Sequence, residues 1–209
     1  MNKEMNIIHR MIGIIVKPTK TFEYLNEKPD FFVPILLYIF TVFLASILIL
    51  LMPEKFNFPG FLLNSKAMLF FIMIVGGMIY LILSWFLKSI TLLILARLIG
   101  QKGNFRSILS IVGYTYMPEF IGGIISSIYA ILTNRINLVE GLAKILPPEE
   151  YGSLLYVVLS KIDLYKIWSL VLLIFGISII FKTSKRKSFF IVLFYWLLII
   201  LYGYVRLNI

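Results

Sequence analysis

The residues of this sequence that could carry chemistry lie inside long apolar stretches. Lys88 and Glu119 are the charged side chains deepest within them, and Tyr114 and Pro118 stand close to Glu119 along the chain. Ionisable side chains at membrane depth are costly, and they usually pair with each other or line a path for ions or protons. The two charges therefore predict either a buried ion pair that joins two helices, or a polar site for transport or proton relay.

The sequence lacks the residues that other common catalytic sites and metal-binding sites need. Cysteine is absent and His9 is the only histidine, whereas a zinc or other transition-metal site needs several such ligands. Phosphate-binding-loop, serine-hydrolase and zinc-protease signatures are also missing. We therefore expect no cofactor, and an intramembrane enzyme is the least favoured interpretation.

The composition indicates a membrane protein. Of the 209 residues 60% are hydrophobic and 14% are charged, and the mean hydropathy is +0.96. A soluble domain is usually about 45–50% apolar. The net charge is +10, but the cations stand between the apolar stretches, where they set orientation in a membrane. We therefore expect no nucleic-acid partner.

Five apolar stretches are long enough to cross a bilayer, which needs about 20 residues. They are predicted at residues 31–52, 67–99, 107–133, 164–181 and 188–205. The predicted fold class is an all-α integral membrane protein with a cytoplasmic segment at residues 1–30 and a five-span helical domain at 31–209. Residues 134–162 form a long external loop, with two short helices predicted at 138–146 and 149–160.

Residues 3–17 predict an amphipathic helix that ends at Pro18. Its polar stripe recurs at spacings of three and four residues and consists of Lys3, Asn6, Arg10, Gly13 and Lys17. Such a helix can lie flat at the membrane surface with its cations toward anionic headgroups. Alternatively, it packs on the cytoplasmic ends of the spans. Residues 19–28 are expected to add one or two further helical turns.

The third predicted span holds a break and a close-packing face. Pro118 deprives the Tyr114 carbonyl of its helical donor, so we expect a kink that is either a hinge or a fixed shape. Beyond it, small residues recur at the spacing that allows close approach of a second helix; they are Gly122, Gly123, Ser126 and Ser127.

The distribution of cations predicts the orientation of the chain. Twelve lysines and arginines precede the first span or lie in the second–third and fourth–fifth loops, against seven on the opposite side. The positive-inside rule then places the N-terminus in the cytoplasm and the C-terminus outside. The fourth–fifth loop, which is also expected to contact anionic lipid headgroups, contains Lys182, Lys185, Arg186 and Lys187.

These motifs resemble the Yip (Ypt/Rab-interacting) family of five-span membrane proteins, in its prokaryotic form. The resemblance rests on Tyr114-x-x-x-Pro118 in the third span, on residues 163–168 at the start of the fourth, and on the segments 18–22, 176–178 and 182–187. It implies a non-enzymatic membrane protein. Eukaryotic members act in vesicle traffic, bind small GTPases and shape membranes. They carry a long cytosolic arm, whereas here only about 30 residues precede the first span.

The leading hypothesis is a scaffold or accessory protein of the cell membrane. Its expected partners are membrane lipid, another integral membrane protein and a second copy of itself in a homodimer. The alternative is a small transporter or channel that uses Lys88 and Glu119 in an intramembrane polar site. A hydrated cavity that reaches Glu119 would favour transport, and an exposed groove of small residues would favour the scaffold.

Overall fold

The computed structural model describes residues 5–56, 58, 65–136 and 141–209. Within these ranges the chain contains nine α-helices and no strand. They are α1 (Ile7–Val16), α2 (Pro18–Glu27), α3 (Phe32–Leu51), α4 (Lys66–Leu98), α5 (Phe105–Tyr114), α6 (Met117–Thr133), α7 (Leu154–Ser160), α8 (Leu164–Ile180) and α9 (Lys185–Asn208). Short 3-10 turns lie at Pro53–Lys55, Gly141–Ile145 and Pro148–Glu150.

Four helical segments of the described chain are long and apolar enough to cross a membrane: α3, α4, the consecutive helices α5 and α6, and α9. α8 contains 17 residues and joins α7 at a bend of 72°, and this pair is the fifth candidate span. The four long spans, and α8 taken by itself, begin and end within about three residues of the predicted apolar stretches. The prediction of an all-α membrane protein is confirmed.

The third span lies at the centre of the bundle. It is the most buried of the four long spans, and every residue from Ser107 to Thr115 is buried. α5 packs against α2, α3, α4 and α8. The approach of α8 is close because Gly176 leaves no side chain there, and a Cβ added to it would collide with Ile111 of α5.

α2 belongs to this core, which is more than the one or two surface turns expected for residues 19–28. Thr21, Phe22 and Leu25 recur at helical spacing on one face, and all three are fully buried where α2 contacts α5 and α8. The hydroxyl of Ser107 in α5 donates a hydrogen bond to the carbonyl of Asn26, 3.0 Å away. The N-terminal segment therefore packs firmly on the helical bundle.

α1 packs on the protein along the face that holds Arg10, Gly13 and Ile14. Gly13 lies against Thr21 of α2, and the neighbouring Ile14 is fully buried. On the opposite face Ile8, Ile12 and Val16 are exposed. The predicted amphipathic helix is present at Ile7–Val16, with Lys3 outside the described residues. It packs on the bundle through this face, which includes only part of the polar stripe because Asn6 and Lys17 are exposed. The opposite, apolar face is left free to face lipid.

The long loop is less helical than predicted. Gly141–Ile145 is a 3-10 turn, and the helix predicted at 149–160 is confined to Leu154–Ser160. Gly141 and Gly152 adopt positive φ angles of 57° and 85°, which glycine accepts without strain but which end regular helix. Residues 138–140 of the helix predicted at 138–146 lie outside the described residues.

α9 begins earlier than predicted. Ser184 caps the helix by accepting a hydrogen bond from the backbone N–H of Lys187, and Lys182 has a positive φ of 47° in the turn before it. Lys185, Arg186 and Lys187 therefore form the first turn of α9 and do not lie in a loop.

Candidate functional site

Lys88 and Glu119 line the same cavity in the middle of the bundle. The cavity lies between α4, α6, α8 and α9 and has a volume of about 490 Å³. That volume is within the range of about 300–1,000 Å³ typical of small-molecule sites. The structure thus brings together the two membrane-depth charges, which come from separate spans of the chain.

The two charged side chains do not touch each other in this cavity. Both residues are within the described chain, and no ion pair of 4.0 Å or less joins them. The ammonium of Lys88 lies 5.9 Å from the centre of the Tyr195 ring on α9, a distance at which the ring face attracts a cation. Lys88 is therefore held by an aromatic ring, while Glu119 lies elsewhere on the cavity wall.

Aromatic side chains form much of the cavity wall. Tyr38 packs edge-on against Trp85, with ring centres 5.6 Å apart, and against Tyr116 at 4.9 Å. The indole N–H of Trp85 donates to the carbonyl of Leu109 at 2.7 Å, which fixes the ring in place. Further aromatic lining comes from Tyr80, Tyr195 and Trp196.

Two more lysines lie at the rim of the cavity, where α7 turns into α8. Lys161 caps the end of α7 and Lys166 lies in the first turn of α8, and both line the cavity. The ammonium of Lys166 donates to the carbonyl of Ser160 at 3.3 Å. Asp163 caps α8 by accepting from the backbone N–H groups of Tyr165 and Lys166. The rim is therefore cationic and ordered by its own hydrogen bonds.

Tyr114 belongs to a different polar cluster. It is fully buried, and its hydroxyl donates to the carboxylate of Asp30. Asp30 also accepts from the backbone N–H groups of Phe32 and Val33 at the start of α3, and the guanidinium of Arg10 lies 3.8 Å from it. Sequence reasoning missed Asp30. The available signal was an acidic residue two positions before an apolar helix, where it caps the first turn.

A break in the third span lies where Pro118 predicted a kink. α5 ends at Tyr114 and α6 begins at Met117. The hydroxyl of Ser169 in α8 donates to the carbonyl of Thr115 in the break, 2.7 Å away, and both residues are buried. A backbone carbonyl freed at membrane depth needs such a donor. The break therefore attaches the third span to the fourth.

The four small residues beyond the break do not share one environment. Gly122 is buried against the ring of Tyr165 on α8, and a Cβ added there would collide with it. Gly123 is exposed and has no atom within 4 Å of an added Cβ. Ser126 is exposed as well, and the hydroxyl of Ser127 donates to the Gly123 carbonyl at 2.8 Å. Gly122 therefore packs within the chain, whereas Gly123 and Ser126 face outward.

Gly123, Ser126 and Ser127 line a groove between α3 and α6, here called the α3–α6 groove. Its volume is about 710 Å³, and α3 contributes Thr41, Ala45 and Leu48 to its wall. Most of its surface is apolar. Beyond the end of α6, two cations also line it: Arg135 and Lys144.

The basic segment at residues 182–187 lies at one end of the bundle. Lys182, Lys185, Arg186 and Lys187 are all exposed, and the ammonium of Lys185 lies 4.2 Å from the centre of the Phe175 ring. Cations in the first turn of a helix are unfavourable because the helix dipole is positive at that end. The stability of α9 therefore does not explain why Lys185, Arg186 and Lys187 lie there.

The described residues offer no metal centre. Within residues 5–56, 58, 65–136 and 141–209, no three histidine, aspartate or glutamate side chains come together as metal ligands would. The charged groups of the cavity, one carboxylate with several ammonium groups, are also a poor donor set for a cation.

Comparison with known proteins extends over almost the whole chain. The Yip1 domain family matches residues 12–207, from within α1 to the end of α9. No curated protein and no solved structure shows significant similarity. The match includes α2 as well as the candidate spans, in agreement with the packing of α2 in the core. The resemblance to the Yip family noted in the motifs is confirmed.

Proposed function

Because the chain belongs to the Yip1 domain family of non-enzymatic membrane proteins, we propose that it is an accessory protein that binds another integral membrane protein. The proposed contact surface is the α3–α6 groove. The partner contributes a transmembrane helix that lies in this groove, either from a different protein or from a second copy of the chain in a homodimer.

The observation that carries this proposal is the open position of Gly123. A glycine within a helix costs about 1 kcal/mol relative to alanine, and no neighbour in the described chain needs the space that Gly123 leaves. Gly122, one residue earlier, is accounted for by Tyr165. Small residues exposed at membrane depth allow a second helix to approach the backbone closely. Gly123 together with Ser126 supports a site of this kind.

Replacement of Gly123 by leucine tests the proposal because it adds a side chain in the groove at a position where a Cβ meets no neighbouring atom of the chain. The protein is purified from its native membrane in mild detergent, and co-purified membrane proteins and the oligomeric state are measured. We expect Gly123→Leu to lose the partner or the dimer. Gly76→Leu is the matched control, since Gly76 is also an exposed helical glycine without neighbours. Equal recovery of partner by both variants and the wild type would contradict the proposal.

The proposed location is the cell membrane, with the N-terminus in the cytoplasm. The segments that carry most of the cations lie at one end of the bundle. Ser107 bonds to Asn26 of α2, and Gly103 of the second–third loop lies against Phe181 at the end of α8. A concentration of lysine and arginine at one end favours the cytoplasmic side for that end. The same concentration of cations supports contact of the basic segment at residues 182–187 with anionic lipid.

Transport is the second candidate function, and the cavity around Lys88 and Glu119 favours it. A path for an ion or polar solute would have to continue through the bundle, but much of this wall is aromatic, which suits binding better than passage. We expect the purified protein in liposomes to carry no flux of ions or small solutes. A reproducible flux that Glu119→Gln abolishes would favour a transporter.

A further inference from the structure

We propose that the cavity between α4, α6, α8 and α9 binds a zwitterionic headgroup, with its ammonium near Glu119 and its phosphodiester near Lys88. This inference goes beyond the accessory function and does not depend on it, because the cavity and the α3–α6 groove have no lining residue in common.

The first argument comes from the charges inside the cavity. One cation, Lys88, and one anion, Glu119, are both half-buried in the same space without contact. A ligand with one positive and one negative group can oppose both of these charges. A simple anion or cation would oppose only one of them and leave the other half-buried side chain without an opposite charge, which is costly. The interior therefore favours a zwitterion over either ion alone.

The second argument comes from the walls around Glu119. Tyr116 and Glu119 are three residues apart at the start of α6, so they project from the same side of the chain, and Tyr38 packs on the Tyr116 ring. Aromatic faces attract an ammonium group, and the attraction increases when the group is removed from water. The wall already holds one ammonium in this way, that of Lys88 over Tyr195.

The third argument comes from the rim. Lys161 and Lys166 line the same cavity at the α7–α8 turn, where they would attract a phosphate and guide it inward. Tyr80 lines the opposite side and is well exposed, so the cavity is also open toward the lipid. The headgroup can therefore come from a phospholipid that enters sideways or from a free headgroup in water.

The experiment uses two sources of the same headgroup. The full chain is placed in nanodiscs of phosphatidylglycerol, and free glycerophosphoethanolamine is added. In a second arm, phosphatidylethanolamine is included in the nanodisc. Binding is measured by melting temperature and by tryptophan fluorescence, because Trp85 and Trp196, two of the three tryptophans, line the cavity. Glycerophosphoglycerol and ethanolamine at equal concentration are the controls for the anionic and cationic halves.

We expect one arm to show binding that neither control reproduces, and the responding arm identifies the source of the headgroup. Lys88→Met and Glu119→Gln should each weaken binding at least about tenfold. Lys66→Met, an exposed lysine of the same helix α4, should bind as the wild type does.

Two kinds of result would overturn the proposal. One is the absence of binding in both arms. The other is equal binding of glycerophosphoglycerol, which would indicate a simple anion site on the lysines. The comparison of probes on the wild-type chain stands even where a variant fails to fold.

Discussion

At the residue scale, the third span serves two polar sites on opposite sides. Tyr114 is the last residue of α5, and Glu119 lies in the first turn of α6, beyond the break in the third span. Tyr114 accordingly reaches Asp30 beneath α1, while Glu119 lines the cavity with Lys88. Sequence proximity grouped them, but they lie on different sides of the break in the third span. Asp30 completes the first site and has no counterpart in the predicted set.

The Asp30 cluster predicts a large effect for one hydroxyl and a small effect for its neighbour. Tyr114→Phe removes a buried hydrogen bond to a carboxylate, worth about 1.5–3 kcal/mol. Tyr116→Phe removes a 3.3 Å bond to the hydroxyl of Thr41, worth about 0.5–1.5 kcal/mol. Melting temperatures in one detergent should fall clearly more for Tyr114→Phe. Equal losses would show that Asp30 does not hold Tyr114.

At the element scale, the sequence predicted the spans well and the short helices poorly. A span is specified by about 20 consecutive apolar residues, whatever its neighbours are. α2 has only four buried positions in ten residues, and its core role depends on contacts with α5 and α8. The first turn of α9 is basic, so composition assigned it to a loop, yet Ser184 caps it as a helix. The cavity likewise depends on helix rotations that a single sequence does not specify.

Contacts between helices predict opposite effects for adjacent glycines. Gly122→Ala places a Cβ against the Tyr165 ring, and Gly176→Ala places one against Ile111; overpacking of this kind costs about 1–3 kcal/mol. Gly123→Ala meets nothing in the chain, so the gain in helix propensity should leave stability equal or raise it by up to about 1 kcal/mol. Thermal unfolding in one detergent measures all three. A loss for Gly123→Ala as large as that for Gly122→Ala would contradict the described packing of α6.

At the scale of the whole molecule, the bundle is polarised along its length. The loops with Lys102 and Lys182 meet where Gly103 packs on Phe181, at the same end as α2. The outer surface between the ends is largely apolar, with exposed side chains such as Phe71, Leu87 and Leu132. An apolar belt and a cationic end are what insertion in one orientation requires.

This polarity predicts which positions are reachable from outside the cell. The chain contains no natural cysteine, so any labelling by a thiol reagent comes from the single cysteine that is introduced. Lys102→Cys and Lys185→Cys should resist an impermeant thiol reagent in intact cells, and Glu149→Cys should react. Permeabilised cells provide the control, in which all three should react. Labelling of the first two in intact cells would reverse the proposed orientation.

The central claim, that the α3–α6 groove binds another membrane protein, is tested most directly by site-specific photo-crosslinking in the native membrane. A photoreactive amino acid replaces Ser126, which is exposed and lines the groove. The matched control replaces Ile79, an exposed residue of α4. The account predicts a discrete protein adduct at Ser126 and none at Ile79, with twice the mass of the chain if the partner is a second copy. Lipid adducts alone at Ser126, or the same protein adduct at both positions, would contradict it.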